Sequence, residues 1–195
     1  MTKENRIESI NDRIVLYLIN YRKNRRILKN RPYCIFEDLA VVFQIADQND
    51  PFRERIVDYR DMDRWGIGVH DLYEYALENT PRLFPAYVKT AKKGIGENDK
   101  EPVFIVSNHQ GIYGAGVMLY PGFLKKFSQK YSWNLFLMPV SIHEVFVLLD
   151  RGQYMMDELH ETAKQTALKY ISQKDYLSDN LYYYDFMENQ IFALY

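Results

Sequence analysis

Cysteine is nearly absent: Cys34 is the only one in 195 residues. That excludes an internal disulfide and suits a reducing compartment. A surplus of charge is absent too, with 25 basic against 26 acidic side chains and a net charge of -1. A protein that binds nucleic acid with its whole surface carries a basic surplus, so the overall charge sets nucleic acid aside as a partner. No apolar run approaches the roughly 20 residues of a membrane span, and no membrane association is expected. The opening residues, MTKENRIESIND, hold no apolar core of a secretory signal. The expected location is therefore cytoplasmic. Histidine is sparse, at four: His70, His109, His143 and His160.

Aromatic residues are abundant instead, with 17 Tyr and 11 Phe. They bring large buried area, and each Tyr also brings a polar hydroxyl. The most apolar stretch is Asn134–Asp150, NLFLMPVSIHEVFVLLD. Leu135–Met138 and Val145–Leu149 are runs of the kind that form strands buried on both faces. The polar Ser141-Ile142-His143-Glu144 between them is too short for a crossover helix, so the two runs are predicted as antiparallel neighbours at the centre of a sheet. The bend lies at its rim.

Earlier in the chain, Arg13–Asn20 and Asp38–Ala46 read as strands. Arg22–Arg31 holds six basic and no acidic residues and is predicted as a short helix ended by Pro32. Asp47–Pro51 reads as a turn, Arg53–Tyr59 as a short strand and Asp61–Trp65 as a helical turn. Val69, Leu72, Tyr73, Ala76 and Leu77 follow helical spacing, and Pro81 is expected to stop that helix. Residues 92–101 are charged, with Gly94 and Gly96, and are expected to form an exposed loop. Residues 1–12 are expected to be flexible.

Val103–Val106 is a further short strand. After the glycine-bearing loop that follows, Val117, Tyr120, Leu124, Phe127 and Tyr131 predict one helix kinked at Pro121. Met156, Leu159, Ala163, Ala167 and Tyr170 mark another. Leu181–Asp185 and Gln190–Leu194 read as a terminal hairpin. The fold expected is a single α+β domain over residues 1–195, a mixed and largely antiparallel sheet with helices mainly on one face.

Two segments carry candidate chemistry. The loop Asn108–Gly116 leaves a strand and opens a helix, a geometry that presents N–H groups to an anion. Its glycines also serve a tight turn and close packing, and the spacing matches neither a dinucleotide fingerprint nor a P-loop. In the bend, Ser141 and His143 share a side of an extended segment while Glu144 points away, which does not build a local triad. No H-E-x-x-H pair is present, so no metal site is assigned, and the sequence names no cofactor. If loop and bend face one cleft, the candidate ligand-binding residues are Asn108, His109, Tyr113, Ser141, His143 and Glu144.

Several segments in order resemble a known family. They are Leu18–Tyr21 with Asn24; Asp38–Phe43; Ala76 and Glu78–Arg82; Tyr113–Ala115 with Leu119–Gly122; Pro139 and Ser141–Val145; and Leu177–Asn180 before Tyr182–Asp185. Together they are similar to domain-of-unknown-function family 5688, uncharacterised bacterial proteins found in Firmicutes. The resemblance covers Arg13 to Asp185 and implies no activity. Val140 stands where the family pattern has a Ser. Members usually carry further N-terminal strands, so a short or trimmed member is expected here. A looser likeness to the YtpQ-type proteins lies in the order of elements alone.

These readings favour a non-enzymatic binding domain whose partner is a second copy (a homo-oligomer) or another protein, docked at an open sheet edge. A small-ligand or enzymatic site at the loop and bend is the alternative. Weak nucleic-acid binding through 22–31 is the third reading, against which a solvated helix face is preferred because the net charge is near zero.

Overall fold

Strand β1, Ile14–Asn20, is buried along its whole length, as is β3, Leu39–Ile45. They pair antiparallel from Ile14 opposite Ile45 to Asn20 opposite Leu39. The sequence of each is almost purely apolar because each has both faces covered. The coordinates are those of a computed structural model, which describes residues 10–47, 55–91 and 101–194. The chain divides into two compact units, Met1–Pro85 and Ala86–Tyr195, each with a sheet of its own.

In the first unit β3 is central, with β1 on one side and β2 (Tyr33–Phe36) and β4 (Arg55–Ile56) on the other. Helix α1, Tyr21–Leu28, follows β1 directly. The Asn20 side chain caps it by accepting from Lys23 N–H at 2.9 Å. Helix α2, Tyr59–Trp65, opens on a capping box between Asp58 and Asp61 and ends at Gly66, whose φ of 71° closes the last turn.

Helix α3, Val69–Leu83, covers the outer edge of β1. Asn79 Nδ2 donates to Ile14 O at 3.0 Å, and Leu16 N–H donates to Thr80 Oγ1 at 3.0 Å. Two side chains thus replace a neighbouring strand, and β1 leaves no open edge there. Arg82 extends the clamp, donating to Asp12 O and to Asn79 Oδ1. The helix runs two residues beyond Pro81, contrary to the expected stop; Phe84 N–H still donates to Thr80 O at 2.8 Å and completes its last turn.

The second unit holds a six-stranded sheet in the order β10-β9-β7-β8-β6-β5. The strands are β5 (Ala86–Thr90), β6 (Phe104–Asn108), β7 (Asn134–Met138), β8 (Val145–Asp150), β9 (Leu181–Asp185) and β10 (Gln190–Leu194). The two apolar runs are the middle pair, with Leu135 opposite Leu149 and Leu137 opposite Val147. The terminal hairpin pairs as expected.

Register sorts the side chains. Phe136, Met138, Leu148 and Leu181 pack with Leu159, Ala163 and Ala167 of α5, Met156–Tyr170. Phe104, Val147, Leu137 and Tyr182 share the opposite face. There Phe104 meets Phe127 and Tyr131 of α4, Phe123–Tyr131, with ring centroids 5.1 and 5.0 Å apart.

The α+β class therefore stands, with corrections. There are two sheets rather than one, all their strand pairs among the described residues are antiparallel, and the helices of the second unit lie on both faces. The kinked helix is also two pieces, a 3-10 helix at Gly114–Leu119 and α4. Pro121 forces Tyr120 into extended backbone, and Gly122 at φ 70° then turns the chain into the next helix. The expected turn at Asp47–Pro51, the loop at 92–101 and the flexible residues 1–12 lie outside the described residues, apart from Asp47, Glu101 and 10–12. So do the first two residues of the strand expected at Arg53–Tyr59.

Candidate functional site

The loop after β6 and the bend between β7 and β8 do meet. Ala115 N–H donates to Ile142 O at 3.2 Å, and Ser107 Oγ donates to His143 O at 2.8 Å. Gly114 sits at the closest approach. A Cβ there would lie 2.7 Å from Asn108 N and nearer still to Ser107 Oγ and His143 O. The glycine lets backbone approach backbone, and no room for a ligand opens at that point.

His143 lies at the centre. Its Nδ1 accepts from Tyr113 N–H at 3.2 Å, which assigns the ring proton to Nε2. Nε2 lies 3.3 Å from Asp175 Oδ1. Tyr113 holds a left-handed backbone, φ 52°, and its ring lies 6.0 Å from the imidazole. The Ser172 hydroxyl donates to Asp175 at 2.6 Å and holds that carboxyl below the usual range, with His143 adding to the effect.

The segment carrying Asp175 runs along the bend as a short ladder. Ile142 N–H donates to Asp175 O at 2.8 Å, Leu177 N–H to Val140 O at 3.2 Å and Ser178 N–H to Pro139 O at 3.0 Å. Ser141 and Tyr176 form an antiparallel bridge.

A histidine between a carboxylate and a hydroxyl is a general base. Here a peptide N–H occupies the place where the hydroxyl would stand. Ser141 Oγ accepts from His143's own backbone N–H at 3.0 Å, so neither Ser141 nor Ser107 addresses the ring.

The other expected site residues divide. Asn108 is buried and closes its own turn, accepting from Gln110 and Gly111 N–H and donating to Ile112 O. His109 is exposed and packs on Tyr87 of β5 at 5.4 Å; no hydrogen bond or ring contact among the described residues joins it to His143. The Glu144 carboxylate is half-buried and makes no hydrogen bond or ion pair among them. No group of three or more His, Cys, Asp or Glu there is placed to hold a metal ion. Asp175, Ser172 and Ser107 were missed from the sequence. The one local signal was Ser172 three residues before Asp175, a common turn pattern.

The resemblance drawn from the ordered segments is decided by a family model that matches residues 1–186. The chain belongs to DUF5688, a family of unknown function. No curated protein and no solved structure matches this DUF5688 chain. No helix among its described residues is long and apolar enough to cross a membrane. Three of the segments that carried the resemblance have structural work in this member: Glu78–Arg82 clamps β1, Tyr113–Ala115 docks on the bend, and Leu177 and Ser178 pair with it.

Proposed function

We propose that this DUF5688 protein is a non-enzymatic interaction domain that extends its second sheet with a second copy of itself, edge to edge along β10. One observation carries this reading: among the described residues β10 is an outer strand, with no charged residue, no proline and no buried residue. Natural edges are blunted by lysine, proline or shortness. The other edge of that sheet carries Lys89, and β2 in the first unit has four residues and opens right after Pro32. β10 has none of these guards, and Phe192 on it is 39% exposed. A strand meeting its own copy antiparallel across a twofold axis satisfies both edges at once.

The internal pairing of His143, Ser141 and Asn108 supports a site without turnover, since a working base needs a free nitrogen. For the same reason the small-ligand alternative is not favoured. The lone Cys34 suits a cytoplasmic setting, and the family resemblance suits a bacterial one.

Light scattering across a concentration series tests the proposal. The wild-type chain is expected to dimerise, and Phe192→Lys or Ala193→Pro to remain monomeric with unchanged secondary structure. A wild-type chain that stays monomeric at the highest concentration, or a dimer indifferent to both substitutions, overturns it.

A further inference from the structure

On α1, Arg22, Arg25, Arg26 and Lys29 (its C-cap) stand at i, i+3, i+4 and i+7 and therefore share one face. All four are exposed, and none makes an ion pair among the described residues. The helix has no acidic residue in its first turn, where Arg22 and Lys23 meet the positive end of the dipole. Like charges at these spacings repel one another. A face kept only for solubility intersperses both signs; this one carries a single sign, although the whole chain is nearly neutral. At the other end Arg25, Arg26 and the C-cap Lys29 meet the negative end of the dipole and are favoured there, so the local rule is broken by Arg22 and Lys23 of the first turn.

Aromatic rings border the cations. The Arg25 guanidinium lies 5.3 Å over the Tyr21 ring, and the Tyr21 and Tyr33 rings are 5.9 Å apart. A hydrogen bond with Tyr21 raises the Tyr33 phenol, with Tyr59, 42% exposed, adding a smaller effect. Among the acids nearby, Glu37 and Asp38 of the β2–β3 turn each have a partner; on the helix that Tyr59 opens, Asp58 pairs with Arg60 and Asp61 with Arg55, while Asp63 is exposed.

We infer that the α1 face and its flanking tyrosines bind single-stranded nucleic acid, with the cations on phosphates and the rings against bases. An acidic protein would use the cations but not the exposed ring of Tyr59. A duplex keeps its bases stacked away from rings. Arg22 to Lys29 spans about 10 Å of helix, and four phosphate contacts to a single strand give a log–log salt slope of about −3. This surface is in the first unit and does not depend on the β10 reading; a monomer that binds nucleic acid defeats that reading and leaves this one intact.

The test is fluorescence anisotropy on the full chain, with a labelled single-stranded oligonucleotide of about a dozen nucleotides, a duplex of equal length and a poly-glutamate peptide. Expected are preferential binding of the single strand and the salt slope above. Arg22→Glu with Arg26→Glu should lose at least tenfold in affinity, and Tyr59→Ala should weaken the single strand more than the duplex. The substituted residues are all exposed, and circular dichroism confirms that each variant is folded. The inference is overturned by no single-strand binding at low salt, by equal or tighter binding of the peptide, or by an affinity unmoved by the double charge reversal.

Discussion

His143 and Gly114 make their parts of the second unit fit. The imidazole spends both nitrogens on neighbours, one on a backbone N–H and one toward Asp175, and the glycine lets the two backbones touch. Gly114→Ala should therefore cost more than a helix-propensity change. Its Cβ would meet Asn108 N at 2.7 Å, with Ser107 Oγ and His143 O closer. Overpacking typically costs about 1–3 kcal/mol, and two of these three obstacles are backbone atoms, so the upper end of that range is expected. Urea denaturation of the two proteins measures it, and equal midpoints would refute the packing account. In the sequence the meeting of loop and bend was a condition of the candidate site; Tyr113 and His143 supply it, whereas Ser141 turns to its own segment and to Tyr176. Sequence alone missed Asp175, which lies 32 residues beyond His143 in a turn without periodicity, and it included Glu144 because adjacency in sequence resembled adjacency in space.

At the scale of elements, the legible parts are those whose burial is written as composition. β1, β3, β7 and β8 are apolar runs, and α5 shows its stripe at Leu159, Ala163 and Ala167. β2 and β5 escaped notice because edge strands are half-wet and carry no run; four of the five residues of β5 are exposed. Pro81 misled because a proline in the last turn removes only one bond, whereas Pro121 followed by a left-handed Gly122 separates two helices. The closure of β1 by α3 was also invisible, since Asn79 and Thr80 are ordinary helix-surface types by pattern. It predicts that Thr80→Val, close to isosteric, leaves the buried Leu16 N–H without a partner. An orphaned buried donor costs about 1–3 kcal/mol. Thermal denaturation should show that loss, while the same change at exposed Thr90 should show almost none; a Thr80→Val protein as stable as the parent would mean that the edge is satisfied some other way.

Across the whole molecule, tyrosine couples stability to alkaline pH at several positions. Burial raises Tyr120 and Tyr184, and Tyr73 and Tyr154 for the same main reason. Tyr183 joins the central strands: its hydroxyl donates to Asp150 on β8 at 2.7 Å and accepts from Asn134 on β7 at 2.9 Å. Burial, with the Asp150 bond adding to it, pushes Tyr183 up to about 12. In the unfolded chain a phenol ionises near its ordinary value of about 10. A folded value above the unfolded one means that the folded state holds its proton more tightly. The contribution is fully present below about pH 10 and is lost as pH rises toward 12, because the unfolded chain releases protons first. Stability should thus fall steeply on the alkaline side, and more steeply than one tyrosine explains, because several are raised together. Tyr183→Phe should lower stability at neutral pH by removing the Asp150 bond, and should flatten part of the alkaline fall. Denaturation midpoints from pH 8 to 11 read both effects, and a Tyr183→Phe profile parallel to the wild type would show that the group does not titrate with unfolding.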